Sequence, residues 1–469
     1  MNTPGILIQM VTKVIENGSG LRSRGIFIGV QMAMAGALLA VTLSGCAAVQ
    51  PGPAESPGPT DVPEAGSIAY VGLDENIYLI DPAGGSPHPI TDDAAAGSSN
   101  LHRYQTPTWD PSSNALAFIE LKAGESGVAE GLVHVLAQDA SEAEVVFRDR
   151  ENFPIYMDWS SRGSQLAILT SQAGESSLRL WIAGAQEMAT EVDSGQPYYW
   201  DWSEQGEKLF AHVGGSAAAN PAGARLSLVS MDSGDVADFS LEPAAFRAPD
   251  VRPGNGGAAV AAETDEGPAL LLLDETGEMD QVLIGLDQAV AFSWSPAGDQ
   301  LAYVEGSGAG PHAFGELSLL EVLEDGAVNR LDTGLGPVVA FFWSPESDQL
   351  AAFVVEAVEP RRDQLASSRS QMTEFMLRLV LVDAETGRWD DLARLQPTAD
   401  WLSVVTYHDQ YQRSSTIWSP SGDRLVYSSD RTSGEAGIYV IEAQPGAEPR
   451  LIARGNLAFW SFSEAIRLR

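Results

Sequence analysis

One cysteine, Cys46, stands in the whole chain of 469 residues. A lone thiol rules out an internal disulfide and any cysteine-cluster metal site. Lysine is nearly as scarce, at Lys13, Lys122 and Lys208. Against 64 acidic residues there are 27 lysines and arginines together, and the net charge is −37. A surface of that sign repels nucleic-acid phosphates and anionic headgroups, so nucleic acid is excluded as a partner. The histidines (His88, His102, His134, His212, His312, His408) are scattered. No His-Glu-x-x-His, paired-histidine or EF-hand spacing occurs, and no Gly-x-Ser-x-Gly elbow. Gly306-Ser307-Gly308-Ala309-Gly310 comes nearest to an elbow, with the wrong spacing. No catalytic residue, metal or cofactor is therefore assigned.

The first 45 residues read as an export signal. Arg22 and Arg24 form a basic start, Gly25 to Leu43 is apolar and uncharged, and Leu43-Ser44-Gly45-Cys46 follows. A positive segment, an apolar segment and small residues at the cut mark a secretory signal. The stretch before Arg22 is long for a basic start, which leaves a start downstream of Met1 open. The last four residues resemble a bacterial lipobox, in which the cysteine takes a diacylglycerol. The apolar run is just long enough to span a bilayer uncleaved, but the only cysteine sits where lipidation requires it. Residues 46–66, rich in Pro, Gly, Ala and acid, read as a flexible tether. Loss of residues 1–45 removes three cations and one acid, and leaves the mature chain near −39. The expected location is the outer face of the cytoplasmic membrane, or an outer membrane where one exists.

Residues 67–469 are organised by a repeat. Trp294-Ser295-Pro296-Ala297-Gly298-Asp299-Gln300-Leu301-Ala302-Tyr303 recurs as Trp418-Ser419-Pro420-Ser421-Gly422-Asp423-Arg424-Leu425-Val426-Tyr427. Looser copies start at Trp109, Trp159, Trp202 and Trp343, and Val251 holds the place in a decayed one. The spacings are 50, 43, 49, 43, 49 and 75 residues. A period near 45 with alternating apolar strands is the signature of a propeller blade. The Trp should end an inner strand and pack against the next blade. Pro and Gly should shape the reversal that follows. The segment Ser67–Val71 lacks a Trp strand before it, and Leu457–Ser461 is a Trp strand with little after it. Joined, they make one blade and close the ring. The prediction is an all-β chain forming a single β-propeller of about eight four-stranded blades, or seven if the Val251 unit is incomplete.

The repeat Trp-Ser-Pro-x-Gly-Asp, Leu-Ala-Tyr and Ile-Tyr-Val-Ile (residues 438–441) resembles that of the TolB-like propellers, which also occur in dipeptidyl-peptidase-type enzymes. The resemblance covers about residues 67–463 and implies fold rather than function. TolB itself has an α/β domain ahead of its propeller and no lipid anchor, so its partner is not implied here. The chain has no room for a separate hydrolase domain.

The expected binding residues lie at the starts of inner strands, which converge at one mouth of the channel. They are His102, Arg103, Tyr104, Tyr198, Tyr199, Arg247, Tyr407, His408, Asp409, Tyr411 and Arg413. Rings with a few polar groups suit small-molecule or peptide binding. The same rings also suit inter-blade packing, whereas the charged members do not. Two insertions lengthen the unit between Trp343 and Trp418. One, 356–374, carries Arg361, Arg362 and Arg369; the other, 395–413, carries Trp401. Insertions in repeats form loops on one face, often the binding face. The expected function is a membrane-anchored, monomeric binding or scaffolding module for a protein, peptide or glycan. The alternative is an envelope hydrolase or lyase with its site at the channel mouth.

Overall fold

The computed structural model describes residues 66–463 except 96–100, 124–128, 139, 173–174, 185–186, 216–222, 288, 307–314, 324–325, 357–375 and 431–435. The expected signal segment 1–45, Cys46, the expected tether up to residue 65 and residues 357–374 of the arginine-bearing insertion lie outside the described residues. All described residues belong to one compact unit, Pro63–Val358 with Phe375–Arg469.

This unit is an eight-bladed antiparallel propeller. Five blades are separate four-stranded sheets, and three share a ten-stranded sheet. The innermost strands run Gly455–Trp460, His102–Trp109, Asn152–Trp159, Tyr198–Trp202, Asp250–Val251 and Ala289–Trp294 for blades 1 to 6. In blades 6 and 7 one strand, Val328–Trp343, serves twice: its first part is the outer strand of blade 6 and its last part the inner strand of blade 7. Blade 8 holds Arg424–Asp430, Ala436–Glu442 and Arg450–Ala453. Its innermost position is shared by Gln396-Pro397, paired with Asp430 and Ser429, and by Trp418, bridged to Leu425. The Val251 unit is thus a full blade with a shortened inner strand, and the count is eight.

The chain ends meet as expected. Ile68, Ala69, Tyr70 and Val71 pair with Trp460, Phe459, Ala458 and Leu457. Beyond the strands, the Ser461 amide donates to the Ser67 carbonyl at 2.9 Å.

The core lies between blades, and the repeated Trp explains why. Trp159 packs with Ala117, Ile119 and Val133 of blade 2, and its indole N–H donates to the Thr108 carbonyl there (3.1 Å). Trp343 and Trp418 donate in the same way to Ser293 and Phe342. Each ring therefore packs on the blade before it, not the blade after, which corrects the expected direction. Burying an indole with its N–H satisfied combines apolar area with about 1 kcal/mol of hydrogen bonding.

The Ser and Asp of the repeat build the turn. The Ser295 hydroxyl donates to Asp299 (2.9 Å) and accepts from the Gln300 amide (3.2 Å). Ser344 and Ser419 repeat this with Asp348 and Asp423. Gly298 sits at φ +74°, and an added Cβ would lie 2.3 Å from the Pro253 carbonyl of blade 5. That position needs glycine for both conformation and space.

Candidate functional site

The second insertion does not extend an inner strand. It folds into two short helices, α1 (Ala399–Thr406) and α2 (His408–Tyr411), spliced into the innermost position of blade 8. The Thr398 hydroxyl caps α1 by accepting from the Trp401 amide (3.1 Å), and donates to the Asn456 carbonyl (2.6 Å). At the far end, the Trp460 amide donates to the Thr416 carbonyl. Trp401 is fully buried against Phe353 and Phe459. Both ends of the insertion are thereby fixed to the strand that closes the ring.

From that base α2 reaches the inner strands of distant blades. The Gln410 amide completes the blade 4 strand as another peptide would. Its oxygen accepts from the Trp200 amide (2.8 Å), and its nitrogen donates to the Trp200 carbonyl (3.1 Å). Tyr156 of blade 3 donates to the Gln410 carbonyl (2.9 Å), and Tyr411 donates to the Ile155 carbonyl (3.2 Å). His408 Nε2 donates to the Phe341 carbonyl of blade 7 (2.8 Å). Asp409 accepts from the Ala248 amide just before blade 5 (3.4 Å). One short helix can touch blades 3, 4, 5 and 7 only on the axis, so α2 fills the central channel.

This placement changes the reading of the Tyr407–Arg413 segment. His408, Asp409 and Tyr411 are buried, as is Gln410, which the sequence reading had left out. Burial holds the imidazole of His408 neutral, with its pKa pushed down to about 3. These groups are engaged inside the protein and do not line an open mouth.

The other expected residues fall into three groups. His102 and Tyr104 join a polar cluster on blade 2. There the Glu120 carboxylate meets His102 Nε2 (3.0 Å), His134 Nε2 (2.7 Å) and Lys122 Nζ (2.9 Å). Burial raises the Glu120 pKa, but the hydrogen bonds of His134 and Lys122 outweigh it and bring the carboxyl to about 2. Tyr104 is buried and donates to Asp93 (2.8 Å). In blade 4, Tyr198 is buried and donates to Asp193 (2.8 Å). Arg247 is buried, with hydrogen bonds to the carbonyls of Val290 and Phe246. The third group stays partly exposed: Arg103, Tyr199 and Tyr407. Tyr199 stacks on Phe246 with ring centres 4.4 Å apart, and Tyr407 lies 6.2 Å from Tyr411. Asp400, in α1, is exposed and lies within the field of the Arg103 charge.

Arg413 closes the far side of the insertion. Its Nε lies 2.7 Å from Asp201 and its Nη2 2.7 Å from Asp250. Both carboxylates also span to the next blade: Asp201 accepts from the Val251 amide (2.6 Å) and Asp250 from the Trp294 amide (2.9 Å). Asp158 occupies the same repeat position on blade 3. All three precede the Trp position and are buried. Among the described residues no cluster of metal-binding side chains has the geometry to hold an ion.

No family model matches this chain, and no curated protein matches it. Solved structures similar to it include a putative TolB from Agrobacterium tumefaciens, at 15% identity over 71% of this chain and 90% of that one, with a TM-score of 0.34. An oligogalacturonate lyase in complex with manganese is 13% identical, over 81% and 98% of the two chains, with a TM-score of 0.47. The propeller domain of the Trilobed protease from Pyrococcus furiosus is 11% identical, over 76% and 86%, with a TM-score of 0.37. The class is a β-propeller. That class rests on the sheet topology, and from likenesses of this degree no activity, metal or partner carries over.

Proposed function

We propose that the chain is a lipid-anchored, extracytoplasmic propeller of the TolB-like kind that binds a protein, peptide or glycan without catalysis. Acylated Cys46 holds it to the membrane, and the tether lets the propeller range. The binding surface is the rim of the mouth around α1, where Arg103, Tyr199, Tyr407 and Asp400 remain in contact with solvent. The observation that carries this reading is the filled channel. The buried polar groups of α2 are bonded to the chain's own backbone, which leaves the rim as the place where rings and charges meet solvent. Rigid aromatic surface with a few charges is the composition of protein and sugar sites. A net charge of −37 keeps nucleic acid away.

The test is affinity capture of the anchored protein from detergent-solubilised membranes. Wild type should retain a discrete partner or glycan that Arg103→Ala with Tyr407→Ala loses at least tenfold, while both forms unfold alike. Equal capture by the two forms would remove the rim from consideration.

A further inference from the structure

The axial cluster around Arg413 holds more acid than base. Asp201 and Asp250 contact the guanidinium directly, and Asp158 faces the same group from blade 3. With all three carboxylates ionised, the pocket would carry two uncompensated negative charges. The remaining neighbours do not offset them. Tyr156 faces Asp158 as a neutral phenol, and His408 is neutral. Asp409 stands opposite Arg247, and that pair balances itself. No lysine lies among the groups facing the cluster. Enclosed excess charge is costly, and carboxyls in that position keep their protons instead.

We propose that Arg413 and the three aspartates form a proton-loaded latch, which holds the insertion in the channel and loosens as the protons leave. Arg413 forms ion pairs with Asp201 and Asp250 and so grips two neighbouring blades. The latch therefore joins the plug to the ring. Burial pushes the Asp158 carboxyl up to about 8, with repulsion from Asp201 adding to it. Burial likewise raises Asp201 to about 7 and Asp250 above its ordinary range, against the pull of Arg413. Groups raised in the folded state stabilise it below their unfolded values, near 4, and lose that contribution as pH climbs through the folded values. The latch is thus closed in mild acid and weakened in the range about 7 to 8 and above.

Hydrogen exchange of residues 399–413, referred to intrinsic exchange rates, tests this between about pH 6 and about pH 9. Protection in the wild type should fall by up to roughly tenfold per pH unit for each proton lost. Asp158→Asn, which mimics the protonated acid, should flatten that fall. A wild type with pH-independent protection overturns the latch, and so does an Asp158→Asn protein that keeps the full slope. If Asp158→Asn does not fold, infrared spectra of the wild type decide. A protonated-carboxyl band should be present at about pH 6 and gone by about pH 9, and its absence at the lower pH overturns the proposal.

Discussion

Replacing Gln410 by methionine keeps the length of the side chain and removes only its amide. In the folded protein that amide satisfies both the N–H and the carbonyl of Trp200, a residue with no exposed surface. Methionine offers neither bond. Two backbone groups would be left buried and unpaired, at about 1–3 kcal/mol each. The expected loss is roughly 2–6 kcal/mol, with little change in packing volume. Urea unfolding followed by far-UV circular dichroism measures it, and the midpoint should fall with the slope unchanged. Gln412→Met is the control. Gln412 is partly exposed, and among the described residues its side-chain nitrogen makes no hydrogen bond, so its midpoint should shift far less. A Gln410→Met protein as stable as wild type would show that α2 does not occupy the channel.

Two further outcomes are expected. Deleting Leu457–Arg469 should strip most of the inner strand from blade 1 and one anchor from the insertion, since the Trp460 amide donates to the Thr416 carbonyl. Cooperative unfolding should be lost, and a truncated chain that melts like the full length would refute closure by this strand. Labelled palmitate should enter the wild type and not Cys46→Ser, and equal labelling of the two would end the lipoprotein reading.

The fold was legible because its signals are local. Trp, Ser, Gly and Asp of one turn lie within six residues, and the Ser, Gly and Asp bonds close inside that turn. Ring closure was legible from two half-blades, and even the Trp-less Val251 unit keeps the strand order. There Arg252 stacks on Trp294 at 4.8 Å and donates to the Gly298 carbonyl at 2.7 Å, which ties the unit to blade 6.

The site was legible only in part, because its partners are far apart in sequence. The segment Tyr407–Arg413 stands out in the sequence for its charge and rings and reads there as a strand entrance open to water, whereas the structure buries His408–Tyr411 as a helix. A helical signal was present: Thr398 as a cap, Asp400 in the first turn, and Trp401, Val404, Val405 and His408 at i, i+3, i+4 and i+7. Four positions are too few to stand out against a strand repeat that dominates the chain. The three aspartates were also visible, each one residue before a Trp position, as Asp158-Trp159, Asp201-Trp202 and Asp250-Val251. Their meaning needed Arg413, more than 160 residues on from the nearest of them. The Glu120 cluster draws on three strands and had no sequence spacing to reveal it.

The most direct test of the binding account is a photo-cross-linking amino acid placed at Tyr407 in the full-length protein, with a second placed at Trp389 on an outer strand of blade 7. Tyr407 is on the proposed rim, whereas Trp389 is exposed elsewhere, beside Arg378. Illumination of intact cells should attach a discrete partner or glycan at position 407 and give only background at 389. Indistinguishable labelling at the two positions, or none above background at 407, would contradict the account.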